Sequence, residues 1–212
     1  MIAIPDYGAG NLTSVERAVR RLGFPCLVTR DPTAIMQAER IIFPGVGAAG
    51  KAMEALRALK LDQVLSSALA AGKPILGICL GCQIILDTSE ENGARCLGLL
   101  PGRAVRFPES LSESGERLKV PHMGWNSLSP RRAHPVLAEL DPGHEFYFVH
   151  SYFPTPASPD AVFAVTRHGV EFPSVVGTGS LIAFQFHPEK SGEPGLKLLA
   201  NFCRWNGKCQ TL

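Results

Sequence analysis

The stretch that decides the fold is residues 75–83, Ile-Leu-Gly-Ile-Cys-Leu-Gly-Cys-Gln, where an apolar strand pattern changes abruptly into a helical one. Cys79 stands at the change, with Gly77 two residues before it and Gly81 two residues after it. The small glycines allow the sharp strand-to-helix turn that carries a nucleophile at the edge of an α/β sheet. Unpaired N–H groups at the start of the following helix favour negative charge at this position. Cys79 is therefore predicted to act as a thiolate nucleophile.

Strand and helix patterns alternate along the chain around this turn. Up to residue 78 apolar strand patterns are separated by amphipathic helical ones, which predicts a parallel sheet covered by helices. Beyond about residue 98 short apolar runs lie between turns rich in Pro, Gly and Ser, which predicts a strand-rich C-terminal half. The predicted strands are 1–5, 25–29, 40–44, 74–78, 103–107, 118–120, 146–150, 161–166, 174–177 and 181–186. We expect an α/β fold, a single domain over residues 1–212 whose open, mixed and mostly parallel sheet is flanked by helices.

Composition and charge favour an ordinary globular chain over a nucleic-acid or membrane protein. Of the 212 residues, 45% are hydrophobic and 19% are charged, and the formal net charge is only +2, so nucleic acid is not expected as a partner. No apolar stretch approaches the roughly 18 residues that span a bilayer, and no signal-peptide pattern is present, which favours a cytoplasmic location. The six cysteines lack a framework spacing and are expected to be free thiols.

A histidine and a carboxylate follow the last predicted strand. Residues 185–189 read Gln-Phe-His-Pro-Glu, with His187 at the strand end and Glu189 two residues later. Ligands of an open parallel sheet bind beyond the carboxyl ends of its strands. His187 is therefore predicted to deprotonate Cys79, and Glu189 to orient the imidazole. Taken alone, the pair would be interpreted as a core histidine and a solvated glutamate, but the turn at Cys79 favours a catalytic set.

The glycines of residues 44–50, Pro-Gly-Val-Gly-Ala-Ala-Gly, match the G-x-G-x-x-G spacing of dinucleotide-binding turns. Such a site needs an acidic residue at a strand tip about 20 residues further on, but that region has a helical pattern. No cofactor is therefore expected. We interpret the loop as one half of an oxyanion hole, in which a backbone N–H stabilises the negative oxygen formed when a thiolate adds to a carbonyl. The N–H of Leu80 is predicted to be the other half.

Cys79 and Cys82 also form a C-x-x-C pair, which elsewhere marks a redox dithiol or half of a zinc site. Zinc is disfavoured because no second ligand pair has a suitable spacing, and no metal site is expected. A thiol–disulfide redox protein that uses the two cysteines stays open as an alternative. A second alternative is a non-catalytic scaffold that keeps the fold in order to hold a partner.

The motifs described above resemble those of class I glutamine amidotransferases. Gly-Ile-Cys-Leu-Gly-x-Gln at 77–83, together with His-Pro-Glu at 187–189, is typical of that class. Further stretches resemble one branch of it, the glutaminase subunits of imidazole glycerol phosphate synthase in histidine biosynthesis. These are Asp-Tyr-Gly-Ala-Gly-Asn at 6–11, Pro-Gly-Val-Gly at 44–47, Pro-His-Met-Gly-Trp-Asn at 121–126, Phe-Val-His-Ser-Tyr at 148–152 and Gln-Phe-His-Pro-Glu-Lys-Ser at 185–191. The similarity runs from Met1 to the last predicted helix, which opens near Pro194 and ends at Asn206-Gly207.

The resemblance implies that the chain hydrolyses glutamine to glutamate and ammonia. Cys79 would attack the side-chain amide, His187 would protonate the departing ammonia, and Glu189 would hold the histidine. Water would then release glutamate from a thioester. The N–H groups of Val46 and Leu80 would receive the oxyanion, Val46 after a flip of its peptide. The glutamine-binding residues implied in the same way are Gln83, Glu91, Ser151 and Tyr152.

The resemblance also implies a separate partner, because the family couples glutamine hydrolysis to a (β/α)8-barrel cyclase subunit and this chain encodes no such barrel. The cyclase uses the ammonia to make imidazole glycerol phosphate and aminoimidazole carboxamide ribotide. The residues that match junction positions are Asn11, Met123, Trp125 and Lys190. From the pattern alone, residues 122–126 are predicted to form a loop that serves core packing or partner binding. One departure from the family pattern is Cys82, where methionine is usual.

Overall fold

The computed structural model describes residues 1–8, 10–113 and 115–209. The strands are β1 (Ile2–Pro5), β2 (Cys26–Thr29), β3 (Arg40–Gly45), β4 (Ile75–Cys79), β5 (Thr88–Ser89), β6 (Ala94–Arg95), β7 (Gly102–Arg106), β8 (Ser112–Glu113), β9 (Glu116–Arg117), β10 (His122–Ser127), β11 (Ser129–Pro130), β12 (Glu145–His150), β13 (Tyr152–Pro156), β14 (Val162–His168), β15 (Val170–Thr178) and β16 (Leu181–Phe184). The α-helices are α1 (Leu12–Arg21), α2 (Pro32–Gln37), α3 (Ala49–Ala58), α4 (Leu61–Ala70), α5 (Leu80–Ile84) and α6 (Gly192–Arg204). Within the described residues, no helix has both the length and the apolar character needed to cross a membrane.

The largest sheet has eight strands in the order β11-β14-β15-β16-β4-β3-β1-β2. The strands β2, β1, β3, β4 and β16 pair in parallel, whereas β15, β14 and β11 extend the sheet in the antiparallel direction. The predicted α/β fold, with its mixed, mostly parallel sheet and strand-rich C-terminal half, is confirmed. The predicted strand at 118–120 is wrong. The short pair of β8 and β9 ends at Arg117, and Leu118 packs against the core from a loop instead.

Side chains alternate between the two faces of the large sheet and form two separate cores. On one face Ile42, Ile78 and Phe184 pack with residues of α1 and α6. On the other face Phe43 and Ala183 pack with residues of α2, α3, α4 and α5. Because both faces are covered by helices, the central strands are apolar on both sides.

The turn from β4 into α5 is sharp, and close packing requires its glycines. Cys79 has φ 55° and ψ −107°, outside the regions that ordinary residues prefer. A Cβ atom on Gly81 would collide with the carbonyl oxygen of Phe43, and one on Gly77 would lie 3.0 Å from the Cβ of Ala183. The start of α5 therefore lies close against β3, and β4 lies close against β16, with Cys79 at the carboxyl edge of the sheet.

Residues 122–127 form strand β10, so the loop predicted there is wrong. β10 pairs antiparallel with β12 along its whole length. Gly124 and Asn126 have low strand propensity, so the sequence does not show the strand. The hydrogen bonds between β10 and β12 outweigh this low propensity. The resulting alternation leaves Met123 and Trp125 on the outer face, where they are 63% and 53% exposed.

Candidate active site

The carboxyl ends of β3, β4 and β16 meet at one edge of the sheet, where a cleft of about 400 Å³ opens. This edge is where open parallel sheets bind ligands. Gly45 at the end of β3 pairs with Cys79 at the end of β4, and His187 follows shortly after β16. Eight residues predicted for the site line the cleft: Val46, Cys79, Leu80, Gln83, Glu91, Ser151, Tyr152 and His187.

The Cys79 side chain lies at the base of this cleft and is only 6% exposed. Its Sγ lies 4.0 Å from the carbonyl oxygen of Val149 and 4.0 Å from Nε2 of Gln185. The N–H groups of the first turn of α5 lack intrahelical partners and favour negative charge beside the sulfur. The turn therefore presents the sulfur of Cys79 to the cleft at the N-terminal end of α5.

His187 and Glu189 form a buried pair behind the cleft. Nδ1 of His187 lies 2.8 Å from Oε1 of Glu189, and the two side chains are 1% and 0% exposed. The side-chain amide of Asn11 donates to the same carboxylate oxygen. Among the described residues Nε2 of His187 has no hydrogen-bond partner. This nitrogen is therefore the one available to Cys79 and to a substrate in the cleft.

The charge of His187 follows from these neighbours. Burial alone would lower the pKa of the imidazole, but the interactions with Cys79 and Glu189 outweigh burial and raise the pKa to about 9. The ring is therefore positively charged at neutral pH. A charged imidazole held at Nδ1 by Glu189 can donate a proton from Nε2 to a group in the cleft.

The glycine loop after β3 lies against the same turn. The hydroxyl of Tyr7 donates to the Pro44 carbonyl oxygen over 2.8 Å and ties the loop to the N-terminal segment. Val46 is 37% exposed, and Leu80 is buried as the first residue of α5. Both residues line the cleft together with Cys79, so the structure brings together the two parts of the predicted oxyanion hole.

Hydrogen bonds tie the predicted glutamine-binding residues into the wall of the cleft. Nε2 of Gln83 donates to the carbonyl oxygen of Tyr152 over 2.9 Å. Oε2 of Glu91 accepts the N–H of Ala49 over 2.7 Å, at the start of α3. The Glu91 carboxylate is thereby held at the edge of the cleft, near the positive end of that helix.

Gln185 is a site residue that the sequence analysis did not single out. It is fully buried, its Oε1 accepts the Gln83 amide over 3.2 Å, and its Nε2 points at Cys79. Its place directly after an apolar strand was the available signal, because a buried amide needs hydrogen-bond partners and strand ends collect functional groups.

Three of the four residues predicted for a partner junction lie on one outer face. Met123 and Trp125 project from β10, with the Trp125 ring 6.0 Å from that of Tyr147. Nζ of Lys190 lies 5.9 Å from the centre of the same Tyr147 ring. Exposed apolar and aromatic side chains in such a group are typical of interaction surfaces. The side chain of Asn11 instead turns inward to the buried pair of His187 and Glu189.

The redox alternative has no support from the geometry. Cys82 packs in the core on the opposite face of the sheet from Cys79. Burial raises the pKa of the Cys82 thiol well above its ordinary value. A fully buried thiol that stays protonated does not serve as the attacking or resolving group in disulfide exchange.

Comparison with known proteins identifies the family. The chain matches the family model described as Glutamine amidotransferase class-I over residues 3–205. The chain belongs to this family. Curated relatives of the amidotransferase carry the name "Imidazole glycerol phosphate synthase subunit HisH". One from Nitratidesulfovibrio vulgaris (strain DP4) is 52% identical over 206 residues, covering 97% of this chain and 96% of that protein. One from Methylococcus capsulatus is 48% identical over 209 residues, covering 96% of each.

Solved structures share the fold of this class-I amidotransferase at much lower sequence identity. A crystal structure of a glutamine amidotransferase superposes with a TM-score of 0.71 at 18% identity, covering 94% of this chain and 98% of that one. The structure of PurLQS from Thermotoga maritima gives a TM-score of 0.68 at 20% identity, covering 95% and 96%. At such identities the likeness establishes the fold alone.

Proposed function

We propose that this class-I amidotransferase hydrolyses glutamine to glutamate and ammonia as the glutaminase subunit of an imidazole glycerol phosphate synthase in histidine biosynthesis. The observation that carries the proposal is the free Nε2 of the buried, positively charged His187, which shares one cleft with Cys79 at the sharp turn. The 52% identity to a curated HisH subunit over nearly the whole chain supports the specific reaction.

The proposed reaction begins with a thiolate–imidazolium pair. The Cys79 thiolate adds to the side-chain carbonyl carbon of glutamine, and the carbonyl oxygen becomes an oxyanion that the N–H groups of Val46 and Leu80 stabilise. His187 gives its Nε2 proton to the amide nitrogen, the C–N bond breaks and ammonia leaves a thioester on Cys79. The neutral His187 then takes a proton from water, whose oxygen attacks the thioester. Glutamate leaves as the C–S bond breaks and the thiolate is restored.

The remaining residues in this proposal orient the catalytic groups and the substrate. Glu189 holds Nδ1 of His187 and stabilises the imidazolium, and Asn11 holds the same carboxylate. The polar residues that line the cleft bind the amino and carboxylate groups of glutamine. These residues are Gln83, Glu91, Ser151 and Tyr152. The negative charge of Glu91 is suited to the ammonium group of the substrate.

The proposed partner is a separate (β/α)8-barrel cyclase subunit that consumes the ammonia, with which the chain forms a heterodimer. Free ammonia is largely protonated in neutral water and loses its nucleophilicity, so transfer through a covered passage preserves the reactive form. The outer face of Met123, Trp125 and Lys190 is the proposed docking surface, and Val149, which lines the cleft, pairs with Met123 beneath it. A cytoplasmic location belongs to the proposal, because a catalytic thiolate works in a reducing compartment.

The test is glutamate release by the chain in complex with the cyclase subunit and its nucleotide substrate. We expect glutamine-dependent glutamate release that Cys79→Ala abolishes, while added ammonium salt still drives the cyclase reaction in the Cys79→Ala complex. Cys82→Ser is the matched control and is expected to keep its glutaminase activity. Glutamate release that persists in Cys79→Ala would exclude this nucleophile, and loss of activity in Cys82→Ser alone would favour the redox reading.

A further inference from the structure

A chain of hydrogen bonds runs inside the protein from strand β10 to the loop that follows β12. Nδ2 of Asn126 lies 3.3 Å from Nε2 of His122, and Nδ1 of His122 lies 3.1 Å from Nε2 of His150. Nδ1 of His150 lies 2.9 Å from the carbonyl oxygen of Tyr152. The two histidines are 4% and 5% exposed. The same Tyr152 oxygen accepts the Gln83 amide, so the chain of hydrogen bonds ends in the wall of the cleft.

The positions of the protons follow from the two ends of this chain. A carbonyl oxygen can only accept, so Nδ1 of His150 carries the hydrogen, and Nε2 of the neutral ring carries the lone pair. His122 must then donate from Nδ1 and accept the Asn126 amide at Nε2. The Asn126 amide is oriented independently, because its Nδ2 donates to the Arg167 carbonyl oxygen over 2.8 Å and its Oδ1 accepts the N–H of Ser127. From Asn126 to His122, from His122 to His150 and from His150 to Tyr152, each donor is therefore followed by an acceptor one step nearer to the cleft.

The surroundings keep both rings neutral, as this arrangement requires. Burial, together with the nearby His168, lowers the pKa of His122 to about 4. Burial, together with His122, lowers the pKa of His150 to about 3. The rings of Phe148 and His168 stack on His122, with centroids 4.9 Å and 4.1 Å away. Among the described residues these side chains do not form a group that could hold a metal ion, so metal binding does not account for them.

The atom that this network controls is the side-chain oxygen of Gln83. The Tyr152 carbonyl has two lone pairs, and the chain of hydrogen bonds occupies one of them while Gln83 occupies the other. Gln83 uses its second N–H on Gln185. Both N–H groups are therefore committed within the protein, which leaves Oε1 of Gln83 to accept a hydrogen bond from an N–H group of a ligand.

We propose that Asn126, His122 and His150 are positioning residues for glutamine binding. They hold the Tyr152 carbonyl in place and, through it, fix which way the Gln83 amide faces the substrate. The inference rests on the proposed glutaminase function. His150 lines the cleft, but none of the three residues makes a hydrogen bond to the sulfur of Cys79 or the imidazole of His187. Loss of the network is therefore expected to weaken substrate binding far more than it slows the chemical steps.

The test is the steady-state kinetics of glutamate release by the complex with the cyclase subunit. His150→Phe keeps an aromatic ring but removes the donor to Tyr152, and we expect the KM for glutamine to rise about tenfold while kcat stays within about threefold. His150→Asn restores an N–H near the former Nδ1 and is expected to recover most of the affinity. His122→Phe leaves His150 in place without its donor and is expected to raise KM about threefold. This variant decides the question even where His150→Phe does not fold.

His134→Phe is the matched control for the loss of a buried histidine. His134 is 5% exposed, and its Nδ1 accepts the N–H of Val136 over 3.1 Å, but it lies outside the cleft. We expect its replacement to lower Tm and leave KM unchanged. An unchanged KM in His150→Phe, an equal rise in His134→Phe, or no recovery in His150→Asn would overturn the positioning role. A wild-type complex that releases no glutamate would overturn the proposed function instead.

Discussion

Replacing Glu189 by glutamine is expected to lower the pKa of His187, so that the ring is only partly charged at neutral pH, with little change in the shape of the site. In the wild-type protein burial opposes that charge, and Cys79 and Glu189 raise the pKa of the imidazole to about 9. Two buried histidines without a carboxylate beside them behave differently. The pKa is lowered by burial to about 4 for His134 and to about 3 for His150. The carboxylate therefore accounts for a substantial part of the difference.

The difference between the pKa of His187 and its ordinary value sets the size of the effect. Loss of Glu189 lowers the pKa of the imidazole from about 9 toward its ordinary value of 6.5, which destabilises the imidazolium by at most about 3 kcal/mol. In the proposed reaction the imidazolium protonates the leaving ammonia, so wild-type glutaminase activity is expected to fall as the pH rises through about 9. In Glu189→Gln the fall is expected near pH 7, and the loss of ring orientation lowers kcat by a further ~100-fold.

The assay is glutamate release by the complex from about pH 6 to about pH 10, with the protonation of His187 followed by NMR. The free energy of unfolding is a second readout. The folded-state pKa of His187 lies above its ordinary value of 6.5, so the stabilisation by its charge is complete below that pH and is lost as the pH rises through about 9. Glu189→Gln is expected to lack this loss. If the glutamate release of Glu189→Gln still falls only near pH 9, Glu189 does not raise the pKa of His187.

Three further replacements test other parts of the structure. Gly81→Ala places a Cβ against the Phe43 carbonyl and is expected to lower the free energy of unfolding by about 3 kcal/mol in urea titrations. Gly50→Ala, with open space around its Cβ in a helix, is the control and should be neutral or stabilising. Asn11→Gly keeps the left-handed backbone but removes the amide that donates to Glu189. We expect kcat to fall about tenfold. An unchanged kcat would show that Asn11 does not orient the Glu189 carboxylate. Trp125→Ala should weaken partner binding at least tenfold by calorimetry with unchanged Tm, and undiminished affinity would place the junction elsewhere.

The parts of the site that the sequence predicts are those with strong local chemistry. The turn at Cys79 is flanked by glycines that packing demands, and His187 and Glu189 lie two residues apart, so short stretches carry the information. What the sequence conceals depends on contacts between distant segments. Asn11 reaches Glu189 across 178 residues, and no spacing rule connects two such positions. Gln185 acquires its meaning only from the side chains that the fold packs around it.

Strand β10 and the buried histidines show the same limit. Gly124 and Asn126 argue locally against a strand, and only the ladder with β12 reveals that His122 turns inward toward His150. The role of a histidine at a strand end is ambiguous until its partners are known. The same side chain can act as a base, as a charged proton donor or as a neutral member of a hydrogen-bond network. Burial and neighbouring carboxylates decide between these, and both are properties of the folded chain.

The placement of Cys79 and Cys82 on opposite faces of the sheet has a consequence for oxidative damage. Peroxide that enters the cleft would convert the Cys79 thiol into a sulfenic acid, and the nearest cysteine in sequence, Cys82, packs in the other core. No internal disulfide then traps the lesion, so repair falls to a small-molecule thiol small enough to enter the cleft. Bound glutamine would fill that entrance. It would protect the Cys79 sulfur from peroxide, and it would also slow the reduction of a sulfur that is already oxidised.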